Sequence, residues 1–254
     1  MIKKIATVLI AITVLTATAS AAPAQEKEIL KDLKNYNGKV GVFAKNLRTG
    51  KTIEFNENVI FPTASTSKLI VASATYKYLY PKAGPSKKRE YDKAVEAMIT
   101  VSDNTTFAEL LAEIDRTNPN ALNKVCRDVG LHNTRIHNDG AHKKYKYHSI
   151  TTPYEMSKML ENIYSEKYLN KEKSKLLKHE LANTIFHDEI PRYMNTTVYH
   201  KVGELDRILC DVGIVMDGND PILISFYTDS ADHVYASKFI ATESKKIYNA
   251  LRRR

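Results

Sequence analysis

The feature that most constrains the fold is a change of hydrophobic period that happens twice along the chain. Lys39 to Leu47 alternates, with Val40, Val42 and Ala44 on one face, and Thr52 to Phe55 is a second short strand beyond the turn Arg48-Thr49-Gly50-Lys51, so this is a hairpin. Alternation returns only at Val198–Gly203, Ile208–Met216 and Pro221–Thr228, with Asp217-Gly218-Asn219-Asp220 as a tight hairpin turn. The sequence between has helical period: Tyr91–Val101, Thr105–Ile114, Asn118–Val129 closed by Gly130, a helix opened by the capping box Thr152-Pro153-Tyr154-Glu155 and running to about residue 165, and Lys171–Ala182. Pro81 to Arg89 reads as a surface loop and Leu131 to Ile150 as irregular. Amphipathic helices are predicted at Glu26–Tyr36 and from Ala231 to the C-terminus. Hairpins at both ends of a chain can join into one sheet. The expected fold is therefore α+β: a five-stranded antiparallel sheet flanked by the N- and C-terminal helices (25–60 and 197–254), plus a helical lobe (61–196), with a cleft between them.

The chain has 254 residues, enough for a substantial core. Its first 24 residues read as a secretory signal peptide: basic Lys3-Lys4, an apolar run from Ile5 to Leu15 too short to span a bilayer, then small residues through Ala24. The remainder, 25–254, is expected to be a secreted or periplasmic domain acting as a monomer. The net charge is +9, and two of those charges lie in the leader. Weak association with anionic cell-wall polymer is compatible with that charge, although a solvated basic surface is the simpler reading. Nucleic-acid binding fits poorly with export. Cys126 and Cys210 each sit among apolar residues, which favours two buried free thiols over a disulfide.

Chemistry concentrates in IFPTASTSKLIVASATYKYLY, residues 60–80. Ser65 and Lys68 are spaced i, i+3 and share a helix face, which places an amine beside a hydroxyl. A serine hydroxyl attacks only when something takes its proton, and a desolvated lysine can do so. Ser-x-x-Lys alone is a weak signal. Ser102-Asp103-Asn104 alone reads as a helix-capping cluster, and Lys201-Val202-Gly203 alone means nothing.

In this order and in these settings the three motifs carry a resemblance. Ser-x-x-Lys at a helix start, Ser-Asp-Asn in a helical loop and Lys-Thr-Gly on an edge strand are the signature of class A β-lactamases and penicillin-binding proteins. FPTASTSKL, SDNTTFAELL, TTPYEMSKMLENIY and HKVGELDRILCDVGIV extend it. The chain resembles class A β-lactamase-like serine hydrolases over nearly all of its length after the leader. The resemblance implies that Ser65 attacks a lactam or peptide carbonyl, with Lys68 either as base or keeping the proton network poised. Ser102 passes a proton to the leaving nitrogen, and Asn104 binds the substrate's side-chain amide. Lys201 faces the substrate carboxylate and tunes Ser102. Gly203 leads into an oxyanion hole formed by the N–H groups of Ser65 and Glu204, each donor typically contributing roughly 3 kcal/mol. No cofactor and no metal are implied.

Two departures matter. The loop Ile136–Ile150 has no Glu to orient a deacylating water; Asp139 is its only carboxylate, a poor substitute at one methylene shorter. His137, His142 and His148 are of a type that exchanges protons near neutral pH, but a solvated basic loop is the simpler reading. The third motif has Val202 in place of a hydroxyl residue, with Arg207 as a compensating cation. Acylation machinery is thus present while a device for rapid hydrolysis of the acyl-enzyme is not. Three functions follow: a β-lactamase-type hydrolase with slow deacylation, a DD-peptidase acting on D-Ala-terminated wall peptides, or a non-catalytic wall-binding protein on the same fold.

Overall fold

A computed structural model describes residues 21–252. The leader assigned to residues 1–24 lies almost wholly outside them. Helix α1 (Ala21–Lys34) precedes the hairpin β1 (Lys39–Asn46) and β2 (Thr52–Phe55). After the two-residue strand β3 (Phe61–Pro62) comes the helical block. It comprises α2 (Lys68–Ala74), α3 (Pro85–Thr100), α4 (Asn104–Thr117), α5 (Ala121–Val129), α6 (Asp139–Tyr145), α7 (Pro153–Tyr164) and α8 (Lys171–Ala182), with β4 (Ile150–Thr151) before α7. Strands β5 (Val198–Leu205), β6 (Ile208–Val215) and β7 (Ile222–Asp229) and helix α9 (His233–Leu251) complete it.

The five long strands form one sheet in the order β2-β1-β7-β6-β5, antiparallel throughout. β6 is buried along its whole length and β7 all but its last residue. The sheet is covered on both faces, which explains their unbroken apolar runs. One face packs under the terminal helices through Ile29, Leu33, Ile240 and Ile247; Val40, Val42 and Ala44 lie there, the face the alternation predicts. The other face meets the helical lobe through Leu69, Met156, Leu160 and Tyr227. Every residue of α2 is buried. Enclosure on all sides is the reason it is apolar all round except for Lys68 and Ser73. Strand β5 is a sheet edge, so one of its long sides is free to face the start of α2.

Four local readings change. The segment Pro81–Arg89 is only partly a loop, because α3 begins at Pro85, where a proline's fixed φ suits the first helical position. Leu131–Ile150 contains α6, seven residues long and N-capped by Asn138 Oδ1, which accepts from Ala141 N at 2.8 Å. A helix that short, opening on Asp-Gly, leaves too little periodicity to read. Asn118 caps the end of α4 and α5 starts at Ala121; Gly130 ends α5 with φ +74°, as its type suggests.

The capping box at α7 is half made. Thr152 Oγ1 accepts from Glu155 N at 3.1 Å. The Glu155 carboxylate does not return to Thr152. It accepts from Asn133 N at 2.8 Å and 3.1 Å and from Thr134 Oγ1 at 2.6 Å, tying α7 to the segment after α5. These are charge-assisted bonds to a buried acid, and truncating it orphans buried donors. Glu155→Ala is expected to lower unfolding free energy by about 2–4 kcal/mol in urea titration; a loss under about 0.5 kcal/mol, the range of neutral surface changes, would contradict this account.

Candidate active site

Ser65 does not sit on the α-helix itself. It lies in a 3₁₀ turn, Ala64–Ser67, that leads into α2 at Lys68. Pairing of Phe61 with Thr151 and of Pro62 with Ile150, and a bond from Thr63 N to Ser149 O at 3.1 Å, fix the approach to that turn. Ala64 has φ +44°, a left-handed value that a residue with a Cβ rarely adopts. Such strain persists where surrounding structure enforces it and recurs at functional sites.

The i, i+3 spacing places Lys68 Nζ 3.1 Å from Ser65 Oγ. The same amine reaches Asn104 Oδ1 at 2.7 Å, Ser102 O at 2.7 Å and Ser102 Oγ at 3.0 Å. Ser102 also has positive φ, +56°. That conformation turns its carbonyl and hydroxyl together toward Lys68, while Asp103 next to it caps α4 by accepting from Thr106 N at 2.6 Å. Lys201 Nζ approaches from β5, donating to Ser102 Oγ at 3.0 Å and to Val202 O at 2.8 Å. The Ser102 oxygen thus receives two amines. A hydroxyl has two lone pairs and one proton, so with both lone pairs engaged its own O–H is free to point into the cleft as a donor.

Both lysines are almost fully buried. Burial pulls the Lys68 ammonium down to about 8, with the Asp103 carboxylate opposing. Lys201 is pulled down to about 7, by burial first and by the neighbouring Lys68 charge second; Asp211 behind it opposes. Both amines are pushed toward the neutral form, and a carboxylate bound beside Lys201 would hold the proton there and leave Lys68 as the neutral amine.

Gly203 explains itself by distance. A Cβ there would stand 2.8 Å from Ser65 N, 3.0 Å from Ala64 Cβ and 3.0 Å from Cys210 Sγ. Only glycine lets β5 lie this close to the nucleophile's backbone. The cleft, about 390 Å³, is lined by Ser65, Lys68, Asn104 and Glu204 among others. Glu204 directs its carboxylate to His233 Nδ1 at 2.8 Å. Arg207 is not brought to the site: it sits in the β5–β6 turn, paired with Asp229 at 2.8 Å. Val202 packs in the apolar cluster under the terminal helices. Cys126 and Cys210 are separate buried thiols, each pushed up by desolvation, Cys126 to about 12 and Cys210 beyond that.

Sequence reasoning missed part of the cleft. Phe107 lies 5.5 Å from Lys68 Nζ, ring toward amine. α6 and the residues after it supply a wall, with His142, Lys146, Tyr147 and His148. The histidine-rich composition was visible, but not that these exposed residues border the cleft.

A strained nucleophile turn, a buried lysine beside it and a shared serine between two amines define, on this fold, the class of penicillin-recognising serine enzymes. A sequence model of the Beta-lactamase enzyme family matches residues 24–84 and 80–251, and the chain belongs to that family. Among solved structures it is similar to TLA-3 extended-spectrum β-lactamase (TM-score 0.79, 21% identity, 91% of this chain and 99% of that one). It is similar to PBP-A (TM-score 0.76, 21% identity, 89% and 95%). A β-lactamase from Sphaerobacter thermophilus DSM 20745 gives TM-score 0.77 at 17% identity over 90% and 97%. At these identities the likeness is one of fold.

Two expectations follow. Gly203→Ala should cut the acylation rate at least about 100-fold, the scale of one lost oxyanion donor, and cost about 1–3 kcal/mol of stability from overpacking; acylation within about threefold of the parent would show that the close approach is not needed. The rate of acylation should rise between about pH 6 and 8 as one of the paired amines loses its proton, and fall at higher pH as the second does. A flat profile across that range would contradict a lysine base.

Proposed function

We propose that this chain is an exported serine hydrolase that forms an acyl-enzyme through Ser65 with β-lactams and releases it slowly. The observation that carries this is the 3.1 Å contact between Ser65 Oγ and a buried, easily deprotonated Lys68 at the floor of an open cleft. Ser65 Oγ attacks the carbonyl carbon and its proton passes to Lys68. The C–N bond breaks as Ser102 delivers its proton to the leaving nitrogen. Ser102 recovers a proton from Lys68, 3.0 Å away. The net transfer is one proton from Ser65 to the nitrogen. Lys201 holds the substrate carboxylate, without help from a hydroxyl at 202.

The lining of the cleft supports slow release. A hydrolytic water needs a base, and among the described residues lining the cleft the one carboxylate, Glu204, is bound to His233. A variant of PBP-A exists as an acyl-enzyme complex with penicillin-G, by the description of that structure. The missing base equally favours a second reading, a DD-peptidase for D-Ala-terminated peptides that penicillins trap. Export rests on the leader-like residues 1–24; no helix among the described residues is long and apolar enough to cross a membrane. Action as a monomer and weak association with wall polymer belong to the same reading. The intact polar network argues against a purely structural wall-binding role.

Intact-mass spectrometry after mixing with benzylpenicillin tests this. The expected result is a one-to-one adduct that persists for minutes and is absent in Ser65→Ala. An adduct that decays within seconds, with penicilloate accumulating, would overturn slow deacylation. No adduct at all would overturn the acyl-enzyme reading.

A further inference from the structure

Lys201 forms one positive pole of the site, buried behind Ser102. A second borders the cleft, built by His142 of α6 with Lys146 and His148 just beyond it, and nothing in the acylation chemistry uses it. Lys146 ends α6 with φ +66° and is exposed, with no ion pair among the described residues. Its backbone N–H bonds to His142 O at 2.9 Å, which fixes the turn that presents it. The His142 and His148 rings stack beside it, centroids 4.1 Å apart and 2° from parallel.

The acids nearby are already engaged. Asp139 lies 3.6 Å from His148 Nδ1. Glu204 is bound to His233. Asp206 lies close enough to the Tyr147 phenol that burial and the acid's charge together push its proton affinity up. Lys146 is left facing the cleft without a counter-charge.

A substrate with one carboxylate would use Lys201 and leave the far pole idle. Resting on the acyl-transfer reading above, the leaving-group side of the substrate lies toward Lys201 and the acyl side chain runs past Asn104 to the wall after α6. We propose that the site is specific for acyl donors carrying a second carboxylate, on the acyl side chain, received by Lys146 with His142 alongside. This names the substrate class: dianionic penicillins or peptides with a free side-chain carboxylate near the scissile bond.

The test compares benzylpenicillin with carbenicillin, which adds one carboxylate to the same side chain. The second-order acylation constant of each is measured by intact mass on the full protein. The readout is the carbenicillin-to-benzylpenicillin ratio, so any change common to both drugs cancels. Asn and Asp tolerate the left-handed backbone at 146, so the variants keep the turn. Lys146→Asn is expected to lower the ratio roughly threefold and Lys146→Asp roughly tenfold, the scale of a partly exposed ion pair lost or reversed. Lys144→Asn, with the same charge change on the outer side of α6, should leave the ratio within about 1.5-fold of the parent, since screening damps a charge that far from the cleft. A ratio unmoved by Lys146→Asp, or moved equally by Lys144→Asn, overturns the inference while adduct formation upholds the acyl-enzyme reading. Absence of adducts with either drug overturns both.

Discussion

The site depends on two lysine amines held almost without water around one serine oxygen. Lys68 and Lys201 both donate to Ser102 Oγ at 3.0 Å. Two like charges at that spacing disfavour each other, and burial disfavours each separately. The pair therefore favours holding one proton fewer than two isolated lysines would, and that missing proton is what makes a base. Fixing both amines requires support from both lobes: Lys68 comes from α2 and Lys201 from β5, with Ser102 from the loop between α3 and α4. The cleft between lobes is the one place where three such elements meet.

The architecture can be read as the means of holding that meeting point still. An all-buried helix carries Lys68, so its stem has no freedom to withdraw. An edge strand carries Lys201, so its free side can lie against the nucleophile turn, and Gly203 removes the one atom that would hold them apart. The left-handed residues Ala64 and Ser102 are stiff, costly conformations, of order 1–3 kcal/mol each, and they occur at the two turns that aim the nucleophile and the proton carrier. Behind the strand, Asp211 is buried against His200 at 3.0 Å and accepts from Ile190 N at 3.1 Å, a negative centre that moderates the proton loss from Lys201.

What could be read from sequence was set by range. The two strand groups were legible because alternation is a local signal, and their union into one sheet followed from antiparallel connectivity. Ser65 and Lys68 were legible as a pair because helical spacing carries them. The positive φ values of Ala64 and Ser102 had no local signature, since neither is Gly or Asn and tertiary contacts impose both. Glu155 looked like a cap because its spacing fits one, but the Asn133 amide and the buried Thr134 hydroxyl are its partners rather than Thr152 N. Arg207 looked like a substrate cation by proximity in sequence to Lys201, yet six residues along, in the hairpin turn, it faces Asp229 instead. The segment from α6 to β4 is solvent-exposed, as its polar composition suggests, but composition alone could not show that the same residues also border the cleft.

Acylation and deacylation would ask different things of one framework. Attack by Ser65 needs groups that are already rigid parts of the lobes: the α2 amine, the shared serine, the backbone N–H beside Gly203. Hydrolysis needs a water held against the ester carbonyl by a base from the opposite wall. Here that wall presents a lysine and two stacked imidazoles where a carboxylate would have to stand. A cation there does not draw a proton from water; it attracts an anionic group of the substrate. On the acyl-enzyme and second-carboxylate proposals above, the same substitution of charge would weaken turnover and strengthen recognition.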